Sequence, residues 1–320
     1  MPRRAILKNH PITDMPMAIL SEITLYPIKS CAGIAVRAAT LTRAGLTVGP
    51  ISDREWMLVD PQGLFLSQRE HPRMALIVPR LSASGLSGPT LQVDAPGMAP
   101  LQIELEWPDV AARAMVQVWD DRVQAFDCGA ASAAWFSMVL GTACRLVRFD
   151  PACGRHASAA WTGAVAAPTR FSDGFPLLLI GAASLQDLNQ KLIAAGREAL
   201  PMNRFRPNLV LDGIEAFDED LAESFRLGPM LLKPVKPCAR CTIPSLDQNT
   251  GQVGPDPLDL LRTYRIRGQA RLNETHVQSS LAPQIELDDA ICFGMNCIVV
   301  EGEREQITVG QQVEFELAFS

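Results

Sequence analysis

Residues 54–70, REWMLVDPQGLFLSQRE, place two β-prone runs, Glu55 to Val59 and Leu64 to Ser67, on either side of Asp60-Pro61-Gln62-Gly63. Pro and Gly stand where a tight turn tolerates them, so the stretch is expected to form an antiparallel hairpin. Working outward, further short runs alternate with turn clusters at Ile19 to Tyr26, Ala38 to Leu41, Ala75 to Val78, Leu101 to Leu105 and Ala114 to Val118. That spacing implies a β-rich unit. WDDRVQAFDCG then leads into AASAAWFSMVLG, whose alanines and terminal Gly141 predict a helix of about three turns.

From Asp150 to Arg170 the chain is rich in Ala, Pro and Gly and reads as a join between two halves. Beyond it, SLQDLNQKLIAAG predicts a helix capped by Ser184, with Leu185, Leu188, Leu192 and Ile193 on one face and Gly196 at its end. FRPNLVLDG, FRLGPMLLKPVKP, CFGMNCIVVEG and QQVEFELAF read as strands, with a short helix at DPLDLLRTYR opened by Asp256 and Pro257. Strands and helices do not alternate regularly, which favours barrel-like sheets over a doubly wound fold. The expected class is α+β and β-rich: a barrel-like first region over 18–150 packed with a second β-barrel domain over 151–320 that carries a few peripheral helices. Residues 1–17 lack regular patterning and read as a disordered extension, with Met15 and Met17 as alternative starts to Met1.

The chain has 320 residues, 48% of them hydrophobic, and a formal charge of -6, enough for a sizeable core and repulsive towards nucleic acid or an anionic membrane. No apolar run approaches the roughly 20 residues of a membrane helix, and the start lacks the apolar stretch of a signal peptide. Eight cysteines spread over a chain of this size do not make a disulfide scaffold, so a reducing, cytoplasmic setting is expected.

The segment richest in chemistry is VKPCARCTIPSLDQNTG, with Cys238 and Cys241 spaced C-x-x-C and the second opening an apolar, strand-like run. Zinc or an iron-sulfur cluster needs more ligands than this pair, and the four histidines and other cysteines do not supply them at the usual spacing. Pro244 disfavours the helix that a thioredoxin-like pair requires. Two partly buried thiols remain an equally simple reading. Lys236 and Arg240 flank the pair, and basic residues recur beside small or polar ones in LYPIKSCAG, with Lys29 and Ser30, and in MNRFRPNLV, with Arg204, Arg206 and Asn208. Positive neighbours favour a thiolate, and Lys, Arg and Ser are suited to a cofactor phosphate.

Six segments, YPIKSCAG, SDREWMLVD, FSDGFPLLLIGAASLQDLN, FRPNLVLDG, KPCARCTIPSLDQNTG with DPLDLLRTYR, and FGMNCIVVEGE with ITVGQQVEF, stand in an order that resembles the MOSC family over about residues 18–319. The likeness is to the branch that joins an N-terminal β-barrel region to the MOSC domain, as in the mitochondrial amidoxime-reducing component and its bacterial relatives. It implies a molybdenum-molybdopterin cofactor with Cys241 as the metal ligand and Cys238 as its neighbour. It further implies that Lys29, Ser30 and Arg54 contact the pterin and its phosphate, that Arg206 and Asn208 do likewise, and that Ser172 and Asp173 lie near the cofactor. Gly174 and Phe175 replace polar residues of the animal proteins.

The activity so implied is molybdenum-dependent reduction of small N-hydroxylated substrates of the amidoxime or hydroxylamine type. Asp173 is the candidate for helping proton delivery, and pyridoxal phosphate is not expected. With the chain ending soon after the last motif, electrons are expected from a separate ferredoxin, flavoprotein reductase or cytochrome b5-like donor. Two other functions fit the same motifs: a sulfur carrier using Cys241, or the Cys238 and Cys241 pair, as a persulfide site for metallosulfur assembly, or a non-catalytic molybdopterin-binding module. Each residue also has a structural reading: Lys29 as a solvated strand residue, Arg54 with Asp53 as a surface pair, Asn208 as part of a turn at Pro207, and Ser172 and Asp173 as cap or turn residues. His71 and His276 read as structural, and Cys292 and Cys297 as core thiols.

Overall fold

A computed structural model describes residues 17–82, 90–106, 113–266 and 289–318. The extension expected over 1–17, except Met17, and the site of His276 lie outside these residues. The first half lays down β1 (Met17–Leu25), β2 (Ile34–Val36), β3 (Ala38–Thr42), β4 (Gly45–Val48), β5 (Ile51–Ser52), β6 (Trp56–Val59), β7 (Val78–Ser82), β8 (Thr90–Asp94), β9 (Leu101–Ile103), β10 (Arg113–Val118), β11 (Asp121–Asp127), α1 (Gly129–Leu140) and β12 (Arg145–Phe149). The second half adds α2 (Ala159–Thr162), β13 (Leu177–Gly181), α3 (Ala182–Ala194), β14 (Leu209–Asp212), β15 (Ala222–Leu227), β16 (Met230–Ala239), α4 (Leu258–Leu261), β17 (Cys292–Glu301), β18 (Glu305–Thr308) and β19 (Gln312–Leu317).

Seven strands in the order β14-β13-β17-β16-β15-β19-β1 close on themselves through a β1–β14 pairing, so these barrel strands have no free edge. The burial pattern shows why the sequence folds this way. In β19, Val313 and Phe315 point inward while Gln312, Glu314 and Glu316 point out, the period of two that a half-buried strand needs. Each inward side chain contributes about 2 kcal/mol by leaving water. By contrast β13, Leu-Leu-Leu-Ile-Gly, is buried throughout; it pairs in parallel with β14 across the α3 crossover, and such strands are covered on both faces.

The sheets interlace along the chain. The first strand, β1, pairs with β14 and β19 of the second half, while β18 pairs with β3 of the first. One core cluster accordingly runs from Ala18 to Phe315 and includes Leu41, Trp56, Phe136 and Phe225. The remaining sheets, β10-β11-β12-β6, β18-β3-β4-β5 and β7-β8-β9, pack around the barrel.

Local expectations hold in part. Gly141 caps α1 with φ 70°, a left-handed conformation that glycine adopts without steric cost. The turn at 60–63 forms, closed by Gly63 N–H to Asp60 O at 3.0 Å, but its second arm is only bridged: Phe65 pairs with Val59 and Leu64 crosses to Gln117. Ala75 and Leu76 lie in a 3-10 turn (Pro72–Leu76), because Pro72 starts a turn more readily than it continues a ladder. β9 stops at Ile103. Ser184 does not cap α3; it sits inside the helix, fully buried, and donates to Glu219 at 2.8 Å. The stretch Asp150 to Arg170 is ordered by a His156–Pro168 bridge and by buried Arg155.

Candidate active site

At the end of β16 the ladder with β17 shifts register between Pro234 and Lys236 and again between Pro237 and Ala239. Proline cannot donate to a ladder, so each one forces an irregularity, and such bulges redirect the strand. β16 therefore ends at Ala239, and Cys241 leaves the sheet ahead of a 3-10 turn (Ile243–Ser245). The strand-like run expected from Cys241 onward does not form, since Pro244 interrupts it. The Cys241 thiol is exposed into a cavity of about 440 Å³.

The eight residues that the resemblance assigned to the cofactor, Lys29, Ser30, Arg54, Ser172, Asp173, Arg206, Asn208 and Cys241, line that one cavity, whereas Arg204 does not and pairs with Asp247 at 2.8 Å. They arrive from five places: the turn after β1, the β5–β6 turn, the strap before β13, the turn before β14 and the end of β16. Four cavity residues, Ser30, Arg54, Trp119 and Arg206, have φ between 47° and 63°. Non-glycine residues held there cost roughly 1–3 kcal/mol each, and such strain clusters at functional sites.

A buried network holds the arginines. Asp53, 1% exposed, accepts from Tyr26 N–H at 2.8 Å and Asn208 Nδ2 at 3.0 Å through one oxygen, and pairs with Arg54 through the other. Asn208 also donates to Thr24 O at 3.2 Å, and its own oxygen accepts from Arg54 Nη1 at 3.0 Å and Leu178 N–H at 3.1 Å. Its amide is fully used, so Asn208 aims Arg54 and joins β1 to β13 rather than offering a free contact. The Tyr26 ring lies 4.4 Å from the guanidinium carbons of both Arg54 and Arg206, within cation–π range.

Burial disfavours both guanidinium charges. For Arg54 the Asp53 carboxylate more than offsets this. Arg206 has no carboxylate within salt-bridge distance among the described residues, and burial holds it below its ordinary value. Among the described residues its guanidinium has one hydrogen bond, to Gln248 Oε1 at 3.5 Å. Six cationic side chains, Lys29, Arg54, Arg69, Arg206, Lys236 and Arg240, line the cavity against two carboxylates, Asp120 and Asp173. In a chain of net charge -6, a local excess of that sign suits an anion.

Lys29 is buried, not the solvated residue its type suggests. It donates to Phe171 O at 2.9 Å and pairs with Asp173. Desolvation lowers its pKa, with Asp173 opposing. The Asp173 side chain is 74% exposed, and its pairing with Lys29, joined by the Trp119 indole at 3.0 Å and by Arg54, holds the carboxyl below the usual carboxylate range. At neutral pH Asp173 is therefore ionised.

The cations flanking the pair have partners other than Cys241. Arg240 Nη1 lies 3.1 Å from Cys238 Sγ, and its Nη2 donates to Phe205 O at 2.8 Å, so Cys238 rather than Cys241 has the guanidinium neighbour. Lys236 stands 4.9 Å over the Trp161 ring. Among the described residues no three His, Cys, Asp or Glu side chains are grouped as a metal would require. A metal at Cys241 would have to draw its other ligands from a non-protein group, and an exposed thiol beside an anion-binding wall fits a metal carried by a phosphorylated cofactor. The backbone N–H groups of Ser172, Asp173 and Gly174 add to the fit, having no acceptor among the described residues.

Trp119, Phe65, Arg69, Arg155 and Asp53 were not found from sequence as site residues. The Trp119 indole packs on Phe65 at 4.9 Å, with Arg69 over it at 4.7 Å. Nothing in WDDR signals that a tryptophan would hold a left-handed turn at a cavity mouth. Asp53 and Tyr26 stood inside quoted motifs, and their burial alone was hidden.

Sequence profiles agree with this architecture: the MOSC N-terminal beta barrel domain matches residues 17–143 and the MOSC domain residues 166–314. The chain is 33% identical over 253 residues to mitochondrial amidoxime reducing component 2 of Rattus norvegicus, covering 77% of this chain and 72% of that protein. It is 31% identical over 254 residues to mitochondrial amidoxime-reducing component 1 of Homo sapiens, with the same two coverages. To the molybdenum cofactor sulfurase of Bos taurus it is 32% identical over 270 residues, 80% of this chain but 30% of that protein.

Proposed function

Because the chain belongs to the MOSC family, joining a MOSC N-terminal β-barrel domain to a MOSC domain, we propose that it is a molybdenum-cofactor-dependent reductase of small N-hydroxylated compounds. The observation that carries the reading is the meeting, in one cavity, of the exposed Cys241 thiol with six cations in an acidic protein. Cys241 is the proposed metal ligand; a thiolate is a soft donor suited to a redox transition metal. Lys29, Ser30, Arg54 and Arg206, with the amides of the 172–174 strap, hold the pterin and its phosphate, and Asn208 acts on the cofactor through Arg54. Residues 18–150 and 151–320 are taken as the N-terminal barrel region and the cofactor domain, with β1 shared.

When bound, the cofactor supplies two-electron oxygen-removing chemistry that no side chain here could perform. The protein binds, orients and excludes water. Phe65 and Trp119 line the cavity with aromatic surface, and the Asp53–Asn208 network fixes Arg54 so that its charge needs no reorganisation on binding. Ionised Asp173 is placed to accept and relay a proton rather than to hold one at rest. Electrons come from a separate ferredoxin, flavoprotein reductase or cytochrome b5-like protein. No helix among the described residues is long and apolar enough to cross a membrane, and we place the protein in the cytoplasm, where its free cysteines would stay reduced.

The sulfur-carrier reading has one point in its favour, the similarity to a molybdenum cofactor sulfurase. The match covers 30% of that protein against 72% of the amidoxime reducing component, which favours the reductase. The test is turnover of an N-hydroxylated amidine by the cofactor-loaded protein with a chemically reduced dye as donor. Conversion to the amidine and water, with two equivalents of a one-electron dye oxidised per amidine formed, supports the reading; a molybdenum-loaded protein that turns over none overturns it.

A further inference from the structure

Arg155 is 8% exposed and lies outside the cavity, in the stretch read from sequence as a join. Its guanidinium is heavily used. Nε donates to Asp121 Oδ2 at 2.7 Å, Nη1 to the carbonyls of Arg170 at 2.7 Å and Ser172 at 2.6 Å and to Thr169 Oγ1 at 3.2 Å, and Nη2 to Asp173 O at 3.1 Å. The one carbonyl of the 170–173 strap that Arg155 leaves, that of Phe171, is taken by Lys29. Every carbonyl of the strap is thus held by one of two buried cations.

The other end of the clamp reaches the opposite wall. Asp121 opens β11, two residues after Trp119, and the Trp119 indole returns across the cavity mouth to Asp173 at 3.0 Å. Arg155, the strap, Asp173, Trp119 and the β10–β11 turn therefore form a closed circuit of contacts. Trp119 is the one aromatic among the exposed large hydrophobic side chains of the described residues, at 39%, and its backbone is strained at φ 54°. The exposed Asp173 bond, worth about 1 kcal/mol, joins the Phe65 ring at 4.9 Å and Arg69 at 4.7 Å in holding a residue that carries strain of roughly 1–3 kcal/mol. The Arg155–Asp121 pair gives the turn a further, better shielded anchor, since Arg155 is buried although the Asp121 side chain is 52% exposed.

We infer that Arg155 is a positioning residue that sets the Trp119 indole against the Asp173 carboxylate and so fixes the substrate-facing wall of the cavity. The inference rests on the reductase reading, with Trp119 as the ring against which substrate is oriented. A lysine could not replace it fully, because five donors in a rigid fork are needed to serve both walls at once.

The experiment uses cofactor-loaded wild type, Arg155→Met, Arg155→Lys and Asp121→Ala, with Trp119→Phe to identify the Trp119 indole resonance in 15N spectra. In Arg155→Met and Asp121→Ala that resonance moves and its hydrogen exchange accelerates about tenfold, the scale of losing a contact worth about 1.4 kcal/mol, while the other indoles stay in place. KM for an N-hydroxylated amidine rises and kcat/KM falls by roughly ten- to a hundredfold, the scale of a misplaced positioning group, and Arg155→Lys recovers part of the loss. In a Trp119→Leu background, Arg155→Met adds no further change in KM. An unmoved Trp119 resonance, or a KM effect that persists undiminished without the tryptophan, overturns the inference. Asp121→Ala, altered at an exposed side chain, decides the matter should Arg155→Met not fold. The spectral arm needs no turnover, so a failed reductase reading and a failed positioning role are told apart.

Discussion

Replacing Asp53 with asparagine keeps the shape of the side chain and removes its charge, which makes it a sensitive probe of the network behind Arg54. The carboxylate accepts from Tyr26 N–H and Asn208 Nδ2 and pairs with Arg54. An asparagine amide in either orientation turns its NH2 group towards donors. Removing one partner of a buried pair costs about 3–5 kcal/mol; the Arg54 side chain is 15% exposed on the cavity, which puts the expected loss near the lower end, about 3 kcal/mol. With an unfolding entropy of about 2.1 cal/mol/K per residue over 320 residues, calorimetry should record a Tm lower by about 4 °C. Cofactor content should fall as well, since Arg54 loses the partner that aims it. The double variant Asp53→Asn, Arg54→Met should recover part of the stability, because the unpaired charge is gone, but none of the cofactor. A single variant that melts within about 1 °C of wild type and keeps its molybdenum would refute the account of this network.

Glu219, fully buried, has its carboxyl raised to about 7, by burial first and by Asp220 next. The folded chain keeps a proton that the unfolded chain releases near the ordinary value, so this stabilisation is full below that value and is lost as pH rises through about 7. Urea unfolding of wild type should weaken between pH 5 and pH 8 by on the order of 3 kcal/mol more than Glu219→Gln does; parallel pH profiles would remove the claim. Gly294→Ala in β17 should destabilise by more than about 2 kcal/mol in denaturant, since φ is 80° and a Cβ would stand 2.6 Å from Ile180 Cγ1. Unchanged stability there would mean the barrel wall is looser than described. Cys238→Ser should leave metal content unchanged, because Cys238 answers Arg240 and is not the proposed ligand; loss of molybdenum would assign it a role denied here.

β19 falls in a segment expected to be a strand, because its alternation is a local property, whereas β13, an apolar run with no alternation, was not among the expected strands. Closure of the barrel could not be read at all, since β1 pairs with strands near residues 209–212 and 312–314, and sequence carries no signal for contacts so distant. The same division holds at the site. Lys29, Arg54, Arg206 and Cys241 stood out by type and motif, yet Lys29 read as solvated and the Arg54–Asp53 pair as a surface contact, because burial arises only from packing. Trp119 and Arg155 lay in stretches with no distinctive pattern. Their roles come from a left-handed turn and from carbonyls that only the folded strap presents.

The account stands or falls on the Cys241 thiol as the protein's bond to molybdenum. Elemental and pterin analysis of purified wild type beside Cys241→Ala, both expressed under molybdate, tests it most directly. The account predicts stoichiometric molybdenum in the wild type and its loss, with the pterin weakened, in the variant. Equal molybdenum in the two proteins would contradict it.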